Sequence, residues 1–328
     1  MSETALADSA VRPGWGRSLG ARFSGLPVSY WGTAALLICA GIARPNLLQP
    51  FLLFLILRQA APLGVAVIGQ SLCIRLLSLD LSFGGVALVV SYILTSGYFP
   101  FPEPVLIVIC LVFGAAVGAT NAFFITRLRA SSVIVTLAMV LILGGVVTAF
   151  SQLRAPGDSP EMLRYIGQAR IGMIPVTVLV WLAALIPMAL FLRLSVFGRY
   201  VDGIGANPRA AWASGIPYVR VIFTAHILSS LFAVLSAFLL VGFVGFGSLS
   251  IGADLALNSL AAVILGGVTF GSGKGGMLGP AVAAFMLMFC FNLLTSVGLG
   301  EPGKEMAQGA IIALAAIGYA ARGARRGL

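Results

Sequence analysis

One histidine, the glycine–lysine pair Gly273-Lys274 within a glycine-rich stretch, and a few carboxylates and amides are the residues of this 328-residue chain whose types could do chemistry. His226 lies early in an apolar run. Hydrolytic use of it would need a nucleophilic serine in a Gly-x-Ser-Gly setting, and metal use would need His, Glu or Asp at ligand spacing; neither pattern is present. His226 therefore reads as a hydrogen-bonded helix-packing residue, and catalysis by this chain is not expected. Gly273-Lys274 invites a phosphate-loop reading. That motif requires glycine five residues before Gly273 and Ser or Thr after the lysine, where Val268 and Gly275 stand. Gly266, Gly267, Gly273, Gly275 and Gly279 instead describe a tight turn between two spans, where glycine lets the backbone reverse sharply.

Asp80 reads as a carboxylate at the N-terminus of a helix, which it would cap, with Arg75 close enough to be its ion partner; lining a pathway is the other reading. Asp254 is expected to cap a later helix in the same way. Asn121, Asn258 and Asn292 are amides within apolar runs and serve either as interhelical hydrogen-bonding groups or as pathway lining. Cys39, Cys73, Cys110 and Cys290 lie in apolar runs without CxxC spacing and read as small core residues. Gly114-x-x-x-Gly118 reads as a close-packing helix face.

The elements that hold these groups are membrane helices. Hydrophobic residues make up 59% of the chain and charged residues only 9%, against roughly 25% charged in soluble domains. Apolar runs approach the ~20 residues needed to cross a bilayer, and no period-2 alternation suggests a barrel. The expected fold is an all-α polytopic membrane protein of about ten transmembrane helices, at about 28–43, 55–77, 82–98, 105–126, 132–151, 175–194, 219–241, 252–269, 277–298 and 304–321. A cytoplasmic N-terminal arm (1–27), which shows no signal-peptide pattern, precedes a transmembrane domain (28–321). An outer loop (152–174) is expected to carry a short helix at about 160–169, and a basic tail (322–328) closes the chain.

The net charge of +10 is scattered between spans, which argues for topology signals and against nucleic acid. Thirteen of the 20 basic residues fall at one set of span ends and five at the other. That bias puts both termini in the cytoplasm, and Arg154, Arg164 and Arg170 outside. Spans two to five and seven to ten have similar lengths, which suggests an internal duplication of the kind transporters use.

Within the cytoplasmic loop at 195–218, Asn207 can cap a helix, Pro208 suits its first position, and Arg209, Ala210 and Ala211 continue it toward Ser214. Gly215 suits the left-handed closing position, with Pro217 beyond. Two turns are not stable alone in water, so this helix needs a surface to dock against.

Several stretches together resemble the transmembrane permease subunits of ribose-type bacterial ABC importers. Phe197-Gly198-Arg199-Tyr200 followed by Gly203–Ile216 is similar to that family's cytoplasmic loop. Ser259–Gly267 with Gly273–Gly279, Asp80-Leu81-Ser82-Phe83-Gly84, and Asn121-Ala122 with Val133–Leu137 are similar to three further family stretches. Leu76-Leu77-Ser78 stands where the family has Thr-Gly-Gly, and Ser132 where it has Pro-Phe. The resemblance implies a multi-pass permease of the bacterial inner membrane that imports a sugar or similar small polar solute. It implies that Asn207–Gly215 is a coupling helix inserted into an ATP-binding cassette subunit. The other implied partners are a second permease chain and an extracytoplasmic solute-binding protein. No cofactor is expected in this chain; ATP and Mg belong to the partner ATPase. The rival reading is an ion-coupled secondary transporter, which would gather acidic groups within the spans.

Overall fold

The computed structural model describes residues 26–269 and 275–324. Most of the N-terminal arm, Gly273, Lys274 and the end of the basic tail lie outside the described residues. The rest is almost wholly helical. The helices are α1 (Val28–Ala43), α2 (Pro50–Arg75), α3 (Phe83–Thr95), α4 (Glu103–Arg127), α5 (Ser132–Ser151), α6 (Glu161–Gln168) and α7 (Val176–Leu194). They continue as α8 (Val196–Ala206), α9 (Pro208–Ala213), α10 (Tyr218–Val244), α11 (Leu255–Leu265), α12 (Leu278–Ser296) and α13 (Glu301–Ala324). A two-residue hairpin, β1 (Arg170–Ile171) with β2 (Ile174–Pro175), pairs Arg170 with Pro175.

Among the described residues, six helices are long and apolar enough to cross a membrane: α2, α4, α5, α7, α10 and α12. The expected third and eighth spans are shorter than the sequence suggests. They form α3 and α11, of 13 and 11 residues, about 20 and 16 Å at 1.5 Å per residue, against a hydrocarbon core of about 30 Å. Backbone breaks explain both. Gly97 takes φ +59° just past the end of α3, while Gly252 (+76°) and Gly267 (+82°) bracket α11. The first turn of α3 meets the turn that precedes α11. A Cβ on Gly84 would lie 3.1 Å from Gly252 O, and one on Gly252 would lie 2.6 Å from Ala87 Cβ.

Helices α2 and α10 form the centre. Helix α10 packs on α2, α3, α4 and α6, while α2 also receives α7, α11 and α12. Glycines permit the closest of these approaches. A Cβ at Gly69 of α2 would fall 2.9 Å from Ser229 Cα, and one at Gly118 of α4 would fall 2.5 Å from His226 O. Gly114, one turn earlier on α4, faces Val234 in the same way, so the Gly114–Gly118 face packs on α10. The middle of α10 is thus held by backbone contact on two sides. By contrast α5 presents most of its apolar surface outward, Leu141 being 77% exposed. Such an apolar face suits a membrane environment, because a helix satisfies its own backbone groups.

The expected outer helix is α6. Its first backbone amides, Glu161 N and Met162 N, donate to the Glu103 carboxylate at 2.8 and 3.0 Å, so its N-terminal cap comes from α4. Gly167 and Gly242 let α6 lie against the end of α10. Arg58 of α2 donates to Gly167 O at 2.8 Å.

Candidate functional site

Two regions collect the polar groups: a buried cluster between α2, α3 and α10, and an exposed helical hairpin formed by α8 and α9.

The hairpin follows from local sequence. Ser195 caps α8 by accepting from Gly198 N. Asn207 ends α8 and starts α9, its Oδ1 accepting from Arg209 N and Ala210 N, both at 3.1 Å. Pro208 occupies the first turn of α9, and Gly215 closes it at φ +77°. Sequence reasoning missed α8; its own cap and its buried Gly198, Val201, Ile204 and Gly205 mark it as a packed helix. On α9 only Ala211 is buried. Arg209, Ala210, Trp212, Ala213 and Ser214 point outward, with Trp212 76% exposed. Ala211 is therefore the anchor that seats α9 on its own chain.

The expected Arg75–Asp80 pair does not form. Arg75, at the end of α2, makes its ion pair with Asp202 of α8. Asp80 is instead surrounded by hydroxyls. Its Oδ1 accepts from Ser82 N at 3.0 Å and Ser82 Oγ at 2.5 Å, and its Oδ2 accepts from Ser229 Oγ at 2.8 Å. The Ser82 N contact lies just ahead of α3. Asp254 is also corrected: it stands before α11, but its side chain makes no capping bond.

His226 lies beside Asp80 because Gly118 and Gly69 bring α10 against α4 and α2. A hydrogen bond of 2.8 Å joins its Nε2 to Ser78 Oγ, and its Nδ1 lies 4.0 Å from Cys73 Sγ. Asn121 of α4 donates to Ser82 Oγ at 3.1 Å. Cys73, Asp80 and His226 are all buried, and one ligand atom from each lies within 4.8 Å of the others. No spacing in the sequence announces this grouping, because its members come from α2, the α2–α3 turn and α10. The one local signal is His226 with Ser229, three residues apart on one helical face.

Asn258 is buried on α11, with its Oδ1 unpartnered among the described residues. Asn292 of α12 donates to Gln59 Oε1 and to Met288 O, both at 2.8 Å, and so ties α12 to α2. Of the four cysteines, Cys73 and Cys110 are core residues, whereas Cys39 is exposed on α1 and Cys290 only partly covered. The glycine turn brings the end of α11 onto the start of α12. A Cβ on Gly266 would lie 2.2 Å from Pro280 N, and one on Gly279 would lie 2.0 Å from Gly266 O. Gly275 takes φ +143°.

Between the two regions lies a cavity of about 880 Å³ lined by Ser78, Arg129, Ser132, Trp212, Tyr218 and Arg220, among others. Leu77 and Arg129, both non-glycine residues at positive φ, also line it. Such backbone strain, of order 1–3 kcal/mol each, persists only where surrounding structure holds it.

Over residues 52–317 the chain matches the family described as branched-chain amino acid transport system / permease component. It is 32% identical over 249 residues to the fructose import permease protein FrcC of Rhizobium meliloti, covering 72% of this chain and 69% of that one. It is 24% identical over 292 residues to the autoinducer 2 import system permease protein LsrD of Escherichia coli, covering 86% and 88% respectively. No solved structure matches it. With its long apolar helices and this coverage, the chain belongs to that permease family and is the membrane permease subunit of an ABC importer, a multi-pass protein of the bacterial inner membrane.

Proposed function

We propose that this permease carries a sugar or a similar small polar solute inward, driven by ATP hydrolysis in a separate ATP-binding cassette subunit. ATP and Mg sit in that partner, and no nucleotide is held by this chain. A second permease chain, identical or related, completes the membrane pair, and an extracytoplasmic binding protein delivers the solute. About ten helices build the membrane domain, the short α3 and α11 reaching only part of the way across, with both termini in the cytoplasm, a reading supported by the bias of the basic residues. The solute class is supported by the relatives, whose names specify fructose and autoinducer 2 import.

The observation that carries the coupling role is the geometry of α9. A six-residue helix cannot hold itself together in water. This one is capped by Asn207, anchored by Ala211, and leaves Arg209, Ala210, Trp212 and Ala213 uncovered. Large exposed aromatics beside an arginine are what interface hot spots are made of. Movement of the ATPase against α9 passes to α8, and through the Asp202–Arg75 pair to the end of α2.

Ala210→Glu tests this role. A charge placed in a docked contact costs on the order of 2 kcal/mol, and almost nothing on a free surface. The expected result is loss of ATPase pull-down and of solute uptake at an unchanged permease level in the membrane. Normal pull-down together with normal uptake would remove α9 as the coupling element.

A further inference from the structure

We propose that Cys73, Asp80 and His226 form a binding site for one transition-metal ion of the zinc type, which staples α2, the α2–α3 turn and α10 together.

The donor set is one thiolate, one imidazole and one carboxylate, the three ligand types that zinc sites use. The spacing is close to that of a bound ion. Zinc bonds of about 2.0–2.3 Å put tetrahedral ligands roughly 3.4–3.7 Å apart. Cys73 Sγ and His226 Nδ1 are 4.0 Å apart, and the whole triad lies within 4.8 Å.

The surrounding bonds orient the ligands as metal sites require, since ligand side chains are held by outer hydrogen bonds. With the ring hydrogen on Nε2, His226 donates to Ser78 Oγ and keeps the Nδ1 lone pair on the side of Cys73. Ser82 and Ser229 hold Asp80 through three hydrogen bonds, and Asn121 holds Ser82. These supports come from three elements, the α2–α3 turn, α4 and α10, so the triad is fixed by the tertiary fold.

Charge argues in the same direction. Asp80 is fully buried, and a carboxylate held only by neutral hydroxyl and amide donors is expensive away from water. A divalent ion with one carboxylate, one thiolate and a neutral imidazole makes a neutral unit. Binding transfers the Cys73 thiol proton to solvent, and the sulfur lone pair forms the bond to the metal. No electron changes hands, and affinity falls as the solution becomes acidic. Ser78 supplies the route in, since it both bonds His226 and lines the 880 Å³ cavity.

The test uses the purified full-length permease in detergent, stripped with a chelator, loaded with zinc or cobalt(II) and passed through gel filtration. The expected result is one zinc per chain, a thiolate-to-cobalt charge-transfer band in the cobalt form, and a higher thermal midpoint with zinc than without. Cys73→Ser should remove the charge-transfer band, and His226→Gln should lower retained zinc at least tenfold. Cys110→Ser, a buried cysteine outside the triad, should change neither. If the triad variants do not give a monodisperse protein, the wild-type cobalt spectrum decides. A protein that retains no zinc, or that holds cobalt without the thiolate band, overturns the site. So does zinc retained equally by Cys73→Ser.

Discussion

Arg75, buried at the last turn of α2, forms its ion pair with Asp202 on α8 and so joins the central helix to the α8–α9 hairpin. Asp202 is about half exposed while Arg75 is not. The two partners are therefore unequal: losing Asp202 leaves a covered guanidinium without its counter-ion, whereas losing Arg75 leaves a carboxylate that water can reach.

Asp202→Asn should weaken the link by about 1–2 kcal/mol, less than a fully buried pair because solvent screens one partner. In the assembled importer, ATP hydrolysis should continue while uptake per ATP falls several-fold. The measurement is uptake and phosphate release on the same proteoliposomes. Uptake per ATP equal to wild type would mean that the pair is structural only.

Gly118→Ala adds one methyl where α4 meets the backbone of His226, with the new carbon 2.5 Å from a carbonyl oxygen. Overpacking of this kind costs about 1–3 kcal/mol. Gly145→Ala, on the outward face of α5, adds the same methyl where nothing lies within 4 Å. Thermal unfolding in detergent should show a clear drop for the first and none for the second. Equal midpoints would mean that α4 and α10 separate more easily than their contact implies.

The orientation inferred from the arginine bias is open to labelling. In a Cys39→Ser background, Tyr165→Cys on α6 should react with a membrane-impermeant maleimide on intact cells. Ala206→Cys, at the end of α8, should react only after lysis. Both positions are exposed. Labelling of position 206 on intact cells would invert the topology.

The sequence by itself determined the features that depend on neighbours along the chain. Hydropathy in runs marks a membrane protein, because a helix in lipid must satisfy its backbone internally and coat itself with apolar side chains. Asn207, Pro208 and Gly215 define α9 because capping and left-handed closure act within one or two turns. Glu161 likewise opens α6 where a helix start was read. What runs between distant segments was decided only by the tertiary structure. Arg75 stands five residues from Asp80 but pairs with Asp202, since α2 ends beside α8 while Asp80 turns inward toward Ser229. Ala210 and Ala211 are the same residue in sequence, and only the seating of α9 makes one a surface and the other an anchor. His226 looked solitary because Cys73 and Asp80 lie about 150 residues away. Gly69 and Gly118 bring them together by admitting the backbone of α10, and the partner that a glycine admits is not written in the glycine.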